Sequence, residues 1–332
     1  MLVLHIGLPR AGSSAIQYCL AEQAKALSGV GLHYATPAAA SWQPNGVSSG
    51  NGMALARYLD PRRRPEGFSE ADFERGFAAA YLSPGHAISL ISSEFCSAAS
   101  KSKLARFRQE VLGSRPVRVI AVVRDLYDHA FSTWSQMVKD QACARSFRDF
   151  AMHAYDNPQC RALNTFGKAF GYENLRVVHY NSCREGLFTA FLQALDVDLP
   201  DAEEAPRVNR GLTSAELEVQ LTLNRLHRSK RLARSISNRL VGRRPDLPAA
   251  NLWDQDVADH LASRFGEDVR WINRMVFADS QDLAVVGPRR ADGARPSEPR
   301  SWIVADAAHA VLTHAASRLM VRPRRDRQAA SA

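Results

Sequence analysis

Residues 2–14 read LVLHIGLPRAGSS, and their order predicts an anion-binding loop. The apolar run Leu2–Ile6 predicts a buried strand, and a turn containing Gly7 and Gly12 follows it. The serines after this turn are typical of the first residues of a helix. Because a helix N-terminus presents free N–H groups and a positive dipole end, this unit favours phosphate or sulfate. The spacing Gly7-x4-Gly12-x-Ser14 is that of a phosphate loop.

One position separates this loop from the loop of ATP-using enzymes. Ser13 stands where an ATPase carries its lysine, and the sequence has no clear acidic residue of the Walker B type. A nucleotide-dependent kinase is therefore an alternative rather than the first interpretation. The histidines and cysteines also lack metal-ligand spacing, so we expect no metal site.

Two further apolar runs end in polar side chains. Ala87–Ile91 predicts a strand that leads to Glu94, and Val117–Val123 predicts a strand that leads to Arg124. Ser132 follows Arg124 on a predicted amphipathic helix. Ligands bind outside the carboxyl ends of the strands in an open parallel sheet, so these groups should meet the first loop there. Such a site would suit a ligand with two separated anionic groups.

Strand and helix patterns alternate along the first half of the chain, which predicts right-handed βαβ units and a parallel sheet of the α/β class. Residues 212–277 have a helical pattern, with a capping box at Thr213 and Glu216. The other predicted strands are 31–34 and 175–180, and the other predicted helices are 13–27, 53–59, 70–81 and 306–320. Residues 36–52 predict a long loop, whose part 45–52 could gate an acceptor.

Composition limits the class of protein. The chain has 332 residues, 45% of them hydrophobic, and no apolar run approaches the ~18 residues that span a bilayer. Its five cysteines are scattered, which favours reduced thiols and a cytoplasmic location. The formal net charge of +9 favours an anionic ligand, while basic residues interleaved with aromatic ones, as in nucleic-acid binding proteins, are missing.

These motifs, in this order, resemble the sulfotransferases that use 3′-phosphoadenosine 5′-phosphosulfate (PAPS). The resemblance covers about residues 1–280 and implies a P-loop NTPase-like three-layer fold: a central parallel sheet flanked by helices, with a mainly helical C-terminal part. It leaves 281–332 as a linker, a terminal helix and a basic tail. The segments that carry it are PRAGSS at 9–14, VVRDLYDHAFS at 122–132, VVHY at 177–180 and VNRGLT at 208–213.

The resemblance implies roles for particular residues. The 5′-phosphosulfate would be bound by the loop, and the 3′-phosphate by the second motif. Arg10 replaces the lysine of the family and would also stabilise the leaving group, because arginine keeps the charge in a planar fork. The residues with these binding roles are Arg10, Ala11, Gly12, Ser13 and Ser14 for the first phosphate, and Arg124 and Ser132 for the second.

The acceptor hydroxyl needs a general base, for which Glu94 is the candidate. It follows the third strand, and glycan sulfotransferases carry a glutamate in a similar place. Partial burial would raise its pKa toward the working range. His129 is the alternative base. The expected acceptor is a carbohydrate or glycolipid hydroxyl, with at most peripheral membrane contact and no nucleic acid.

Other interpretations stay open. The replacement of lysine by Arg10 is compatible with a nucleotide-binding protein that has no activity. The arginine-rich tail 322–332 could bind nucleic acid, and the turn Arg62–Arg64 is either a solvated basic turn or a contact for an acidic acceptor.

Overall fold

The computed structural model describes residues 1–35, 50–205, 210–277 and 300–320. All five predicted strands form, and they pair in parallel in one sheet of order β2-β3-β1-β4-β5. Helices flank this sheet, so the predicted α/β class is confirmed. The strands are β1 (Leu2–His5), β2 (Leu32–His33), β3 (Ile88–Ser92), β4 (Val117–Val123) and β5 (Leu175–His179).

The register of the central strands decides which residues meet at the carboxyl edge of the sheet. His5 at the end of β1 lies opposite Ser92 of β3 and Ile120 of β4. β3 therefore ends level with β1, whereas β4 continues to Val123. The chain passes from one side of β1 to the other between β3 and β4, which is the switch point where α/β sheets form ligand crevices.

The described chain divides into two compact units, each made of several segments, and one of the boundaries between them falls within a helix, after Ala130. The first unit contains the whole sheet. Its described residues are 1–35, 50–130, 155–205 and 256–277. Its helices are α1 (Ser13–Glu22), α2 (Ala24–Gly29), α3 (Met53–Leu59), α4 (Glu70–Tyr81), α5 (Lys101–Arg106), the start of α6 (Leu126–Asp140), α8 (Pro158–Phe170), α9 (Leu187–Gln193) and α12 (Gln255–Ile272).

The first predicted helix is interrupted. A continuous helix over 13–27 was expected, but the chain leaves helical geometry at Gln23 and resumes as α2. The side chain of Gln23 explains the break, because it bonds to both backbone groups of Glu203. Its Nε2 donates to the carbonyl of Glu203 at 2.7 Å, and its Oε1 accepts from the amide of the same residue at 3.0 Å.

The second unit is helical. Its described residues are 131–154, 210–255 and 300–320, which include most of α6 and the helices α7 (Phe147–His153), α10 (Ser214–His227), α11 (Lys230–Arg243) and α13 (Arg300–Met320). The predicted capping box at Thr213 and Glu216 forms, with both reciprocal hydrogen bonds. The last helix begins at Arg300, earlier than the predicted Asp306.

Helices α7 and α8 were not predicted, although the residues that start them are present in the sequence. Ser146 caps α7, and Asn157 caps α8 with Pro158 at its first helical position. Within the described ranges, no helix combines the length and apolar character needed to cross a bilayer.

Candidate active site

The loop between β1 and α1 has the backbone shape of an anion site. Arg10 has φ 63°, and Gly12, which caps α1, has φ 86°. Left-handed residues in such a turn direct successive amides toward one point. A Cβ at Gly12 would lie 2.4 Å from Cδ2 of Leu187 and 3.1 Å from the ring of Tyr180. Glycine is therefore required at this position for both conformation and space.

Some backbone amides of this loop donate hydrogen bonds within the chain, and others have no acceptor among the described residues. Ala15 and Ile16 both donate to the carbonyl of Gly12, and Ala11 donates to the carbonyl of Leu8 at 3.4 Å. Within the described ranges, no chain group accepts from the amides of Gly12, Ser13 and Ser14. These amides can donate to an anion at the helix N-terminus.

The side chain of Ser13 faces the protein. Its Oγ donates to the carbonyl of Leu8 at 3.2 Å, and the residue is buried. A Cβ at Gly7 would lie 2.6 Å from this Oγ and 2.9 Å from Cα of Glu94. Gly7 thus allows the loop, the start of α1 and the end of β3 to approach closely. Ser13 offers a ligand its amide rather than its hydroxyl.

His129 holds the loop between β1 and α1 in place. Its Nε2 lies 3.0 Å from the carbonyl of Pro9 and its Nδ1 lies 2.8 Å from the hydroxyl of Tyr155. Burial, and then the charges of Arg124 and Arg10, lower the pKa of His129 to about 4. The imidazole is therefore neutral, with Nε2–H donating to Pro9 and Nδ1 accepting from Tyr155. Both nitrogens have protein partners, so His129 positions the loop, and its alternative role as base has no support here.

Arg124 reaches the loop because β4 extends beyond β1. Its Nη1 donates to the carbonyl of Arg10 at 3.2 Å, and its guanidinium lies 4.9 Å from the ring centroid of Tyr180. Its Nη2 is 3.9 Å from Oδ2 of Asp128. The side chain is 14% exposed, so it is a mostly desolvated cation beside the phosphate loop.

Three residues hold Arg124 and the neighbouring Asp125, and sequence reasoning gave none of them a role, although His179 lies in the motif at 177–180. The side chain of Gln159 bonds to both the amide (2.7 Å) and the carbonyl (3.0 Å) of Arg124. Asn181 accepts from the amide of Asp125 and donates to Asp128. His179 Nε2 lies 2.8 Å from Oδ1 of Asp125. Nothing near Arg124 in the sequence marks Gln159 or Asn181, because both come from distant elements.

Glu94 follows β3 at the start of a short helical turn, Glu94–Ala98. Burial raises the pKa of its carboxyl, and the charges of Arg10 and Arg63 partly oppose this effect. Among the described residues, no donor makes a hydrogen bond to its carboxylate. The guanidinium of Arg63 lies 4.2 Å from the ring centroid of Phe95 and ion-pairs with Asp60 at 3.4 Å. The basic turn at 62–64 therefore includes one arginine whose charge acts on Glu94.

A network of hydrogen bonds around the buried residue Ser92 holds the end of β3 in place. His5 Nδ1 lies 2.8 Å from Ser92 Oγ, and Gln17 Nε2 donates to the same oxygen at 3.1 Å. Asn51 accepts from the amide of Ser92 at 2.8 Å and donates to the carbonyl of Leu90. Asn51 lies in the predicted loop 36–52, of which residues 36–49 are outside the described ranges. The sequence marked the part 45–52 as a possible gate for an acceptor, but it did not single out Asn51 as a residue that supports the site.

Ser132 lies on α6 and is buried. It belongs to the second unit, whereas Arg124 and the loop belong to the first. Its binding role accordingly stays a prediction. The motif at 208–213 is described only from Arg210 onward, and the tail 321–332 and most of the predicted linker lie outside the described ranges.

Together, the described residues of the first unit bring the loop, Arg124 and Glu94 to one edge of the sheet. The free amides and the two arginines fit a ligand that carries two anionic groups. The carboxylate of Glu94 stands within electrostatic reach of Arg10. This is a donor set for an anion with a proton acceptor beside it. Nowhere in the described ranges do three histidine, cysteine or acidic side chains group as metal ligands would.

No protein-family model matches the chain, and no curated protein matches its sequence. Among solved structures, the chain is similar to a sulfotransferase from Alicyclobacillus acidocaldarius, at 13% sequence identity and a TM-score of 0.46. The match covers 83% of this chain and 95% of that chain.

Proposed function

We propose that this protein is a sulfotransferase that moves the sulfuryl group of PAPS to a hydroxyl acceptor. The observation that carries the proposal is a hydrogen bond between two arginines. Arg10 belongs to the loop, and the guanidinium of Arg124 donates to the backbone carbonyl oxygen of Arg10. Two cations on adjacent strand ends suit a nucleotide that is phosphorylated at both ends of its ribose.

The loop would bind the 5′ end of the nucleotide. The amides of Gly12, Ser13 and Ser14 and the guanidinium of Arg10 are donors for the charge that develops on the leaving oxygen. When bound, PAPS supplies an activated sulfuryl group for in-line displacement through a loose transition state, by analogy with phosphoryl transfer. The amides and Arg10 supply positive potential at this position, and no metal ion is part of the proposal.

Arg124 would bind the 3′-phosphate, with Ser132 as a further predicted donor. Gln159 holds the backbone of Arg124 at both its amide and its carbonyl, so the cation is preorganised. A phosphate would compete with Asp128, whose carboxylate is 3.9 Å from the guanidinium. Because that carboxylate already accepts from Asn181 at 2.7 Å, it can release Arg124 without losing every partner.

Glu94 would act as the general base toward the acceptor. Its raised pKa brings the carboxylate closer to the working pH, where it is a better proton acceptor than an exposed glutamate. No described donor competes for its oxygens. The proposed acceptor is a hydroxyl of a carbohydrate or glycolipid, and a screen with a labelled sulfate donor would identify it.

Titration calorimetry with adenosine 3′,5′-bisphosphate, AMP and ADP tests the nucleotide assignment. We expect the bisphosphate to bind most tightly. Arg124→Ala should weaken its binding by about 10- to 100-fold, as charged hydrogen bonds contribute ~1.5–3 kcal/mol, and should barely affect AMP. Arg118→Ala is the matched control, because Arg118 lies on the same strand and pairs with Asp196 instead.

Three outcomes would change the assignment. Equal weakening of bisphosphate and AMP binding in Arg124→Ala would remove the 3′-phosphate role. Preference for ADP with magnesium would favour a kinase. Tight binding of bisphosphate without sulfuryl transfer to any acceptor in the screen would indicate a nucleotide-binding protein that has no activity.

A further inference from the structure

Residues 219–245 carry eight lysines and arginines and no aspartate or glutamate. The formal net charge of the whole chain is +9, so the charge of this one segment is nearly as large as the net charge of the chain. It forms the second half of α10, the corner between α10 and α11, and all of α11. A basic surface of this density attracts polyanions.

The two halves of α11 differ in how their charges are compensated. In the C-terminal half, Arg239 and Arg243 pair with Asp306 at 3.0 and 3.4 Å. Arg244, just after the helix, lies 4.5 Å from the ring centroid of Trp302. These cations are used within the unit itself. They are not the part of the segment that is available to a partner.

The N-terminal half of α11 and the preceding corner are different. Arg228, Lys230, Arg231 and Arg234 are exposed, and none of them forms an ion pair with another residue in the described ranges. Lys230, Arg231 and Arg234 line one groove along the helix, together with Ser235 and Asn238. We call residues 225–234 the basic corner. Three of its cations line this groove, and the described chain offers them no ion-pair partner.

An apolar side chain stands within the basic corner. Leu226 is 71% exposed, between Arg225 and Arg228. Arg228 itself has φ 47° and turns the chain between the two helices. A single exposed leucine is ordinary. An exposed leucine at a helix corner, with cations on both sides in the sequence, has the pattern of a surface that enters a headgroup layer.

We propose that the basic corner docks on an anionic lipid bilayer. The cations would contact lipid phosphates while Leu226 enters the interface. Lipid is favoured over nucleic acid because residues 219–245 contain no phenylalanine, tyrosine or tryptophan on which a base could stack. The inference is independent of sulfuryl transfer, since vesicle binding is measured without nucleotide or acceptor.

Vesicle co-sedimentation of the full chain tests this surface. We expect binding to vesicles of phosphatidylcholine with phosphatidylglycerol, and none to phosphatidylcholine alone. Each lysine or arginine near an anionic surface accounts for roughly a five-fold change in affinity, so the triple change Lys230→Ser, Arg231→Ser and Arg234→Ser should weaken binding by about 100-fold. The matched control is the triple change Arg75→Ser, Arg115→Ser and Arg161→Ser, which removes the same charge from exposed positions in the first unit.

The Leu226→Ser variant distinguishes binding to a lipid bilayer from binding to other polyanions. Salt screens the cations, so the binding that remains at high salt should depend on Leu226 and fall further in this variant. Absence of wild-type binding to the anionic vesicles, or equal loss in the two triple variants, would overturn the proposal. So would tight binding of double-stranded DNA that outcompetes the vesicles and is insensitive to Leu226→Ser.

Discussion

Glu94 is partly buried in the first unit and Glu216 is fully buried in the second, and the surroundings of the two carboxylates are opposite. Glu216 accepts from both terminal nitrogens of Arg210, at 2.6 and 2.8 Å, and from the amide of Thr213 at 2.8 Å. Glu94 has Arg10 and Arg63 nearby as charges. However, its carboxylate has no hydrogen-bond donor among the described residues.

The difference follows from what each carboxylate does for the fold. Arg210 also donates to the carbonyls of Arg244, Gly211 and Leu240, so its pair with Glu216 ties the start of α10 to the end of α11. A carboxylate with every oxygen satisfied has no capacity for further chemistry. Burial disfavours the charged form of Glu94, and no hydrogen bond from the described residues compensates for this cost. A carboxylate in this condition is typical of a residue that takes part in a reaction.

The largest expected effect is on turnover at Glu94. Glu94→Gln should lower kcat by about 10²- to 10⁴-fold, because the amide cannot accept the acceptor proton. Binding of adenosine 3′,5′-bisphosphate and the free energy of unfolding should remain near the wild-type values. Release of the bisphosphate from PAPS, followed with an acceptor from the screen, measures turnover. Unchanged turnover would mean that another residue is the base and that Glu94 does not differ from Glu216 in this respect.

Glu216→Gln should have the reverse profile. Removing one partner of a buried ion pair typically costs about 3–5 kcal/mol, because the other charge stays buried and unpaired. We therefore expect a large loss in the free energy of unfolding, measured by denaturant titration. Glu218→Gln, at an exposed position of the same helix, is the control. A loss no larger than that of the control would mean that the Arg210–Glu216 pair does not hold the second unit together.

The pH dependence of stability sharpens the comparison. Folding raises the pKa of Glu94 above its ordinary value of 4.5, so the protonated carboxyl stabilises the folded state at low pH. This stability is lost as pH rises through the raised pKa, because ionising a buried group is unfavourable. The unfolding free energy of Glu94→Gln relative to wild type should thus increase from pH 4.5 upward and then level off. A flat difference across this range would show that burial does not perturb Glu94.

The smallest expected effect concerns Arg63. Arg63→Ala removes a charge that lowers the pKa of Glu94, so the acidic side of the pH profile of kcat/KM should shift to higher pH. The plateau should change little. Arg62→Ala is the matched control, because Arg62 pairs with the same Asp60 and does not act on Glu94. A shift of equal size in both variants would trace the effect to Asp60 and the turn.

The parts of the fold that depend on local sequence were predicted well. The strand Val117–Val123 and the helices Met53–Leu59 and Glu70–Tyr81 have the expected bounds, and the capping box at Thr213 forms. The first helix was predicted as continuous because its apolar spacing continues past Gln23. The bond from Gln23 to Glu203, far along the chain, could not be read from that pattern.

The candidate site divides in the same way. The sequence alone marked the loop, Glu94 and Arg124, because glycine, arginine and glutamate after apolar runs are local signals. It did not mark Gln159, Asn181 or Asn51, which bond to the ends of β4 and β3 from elsewhere in the chain. His129 was only the alternative base, and its contacts with Pro9 and Tyr155 favour a positioning role.

The sequence by itself determined the strand, the glycine turn and the helix that form the anion loop, since each depends on near neighbours. The sequence predicted that Glu94 and Arg124 would meet that loop at the carboxyl edge of a parallel sheet, but tertiary structure decided how they are placed there. Their meeting depends on strand order and on the register of His5 against Ser92 and Ile120, which are pairings between distant segments. Burial, which raises the pKa of Glu94, arises only when those segments pack.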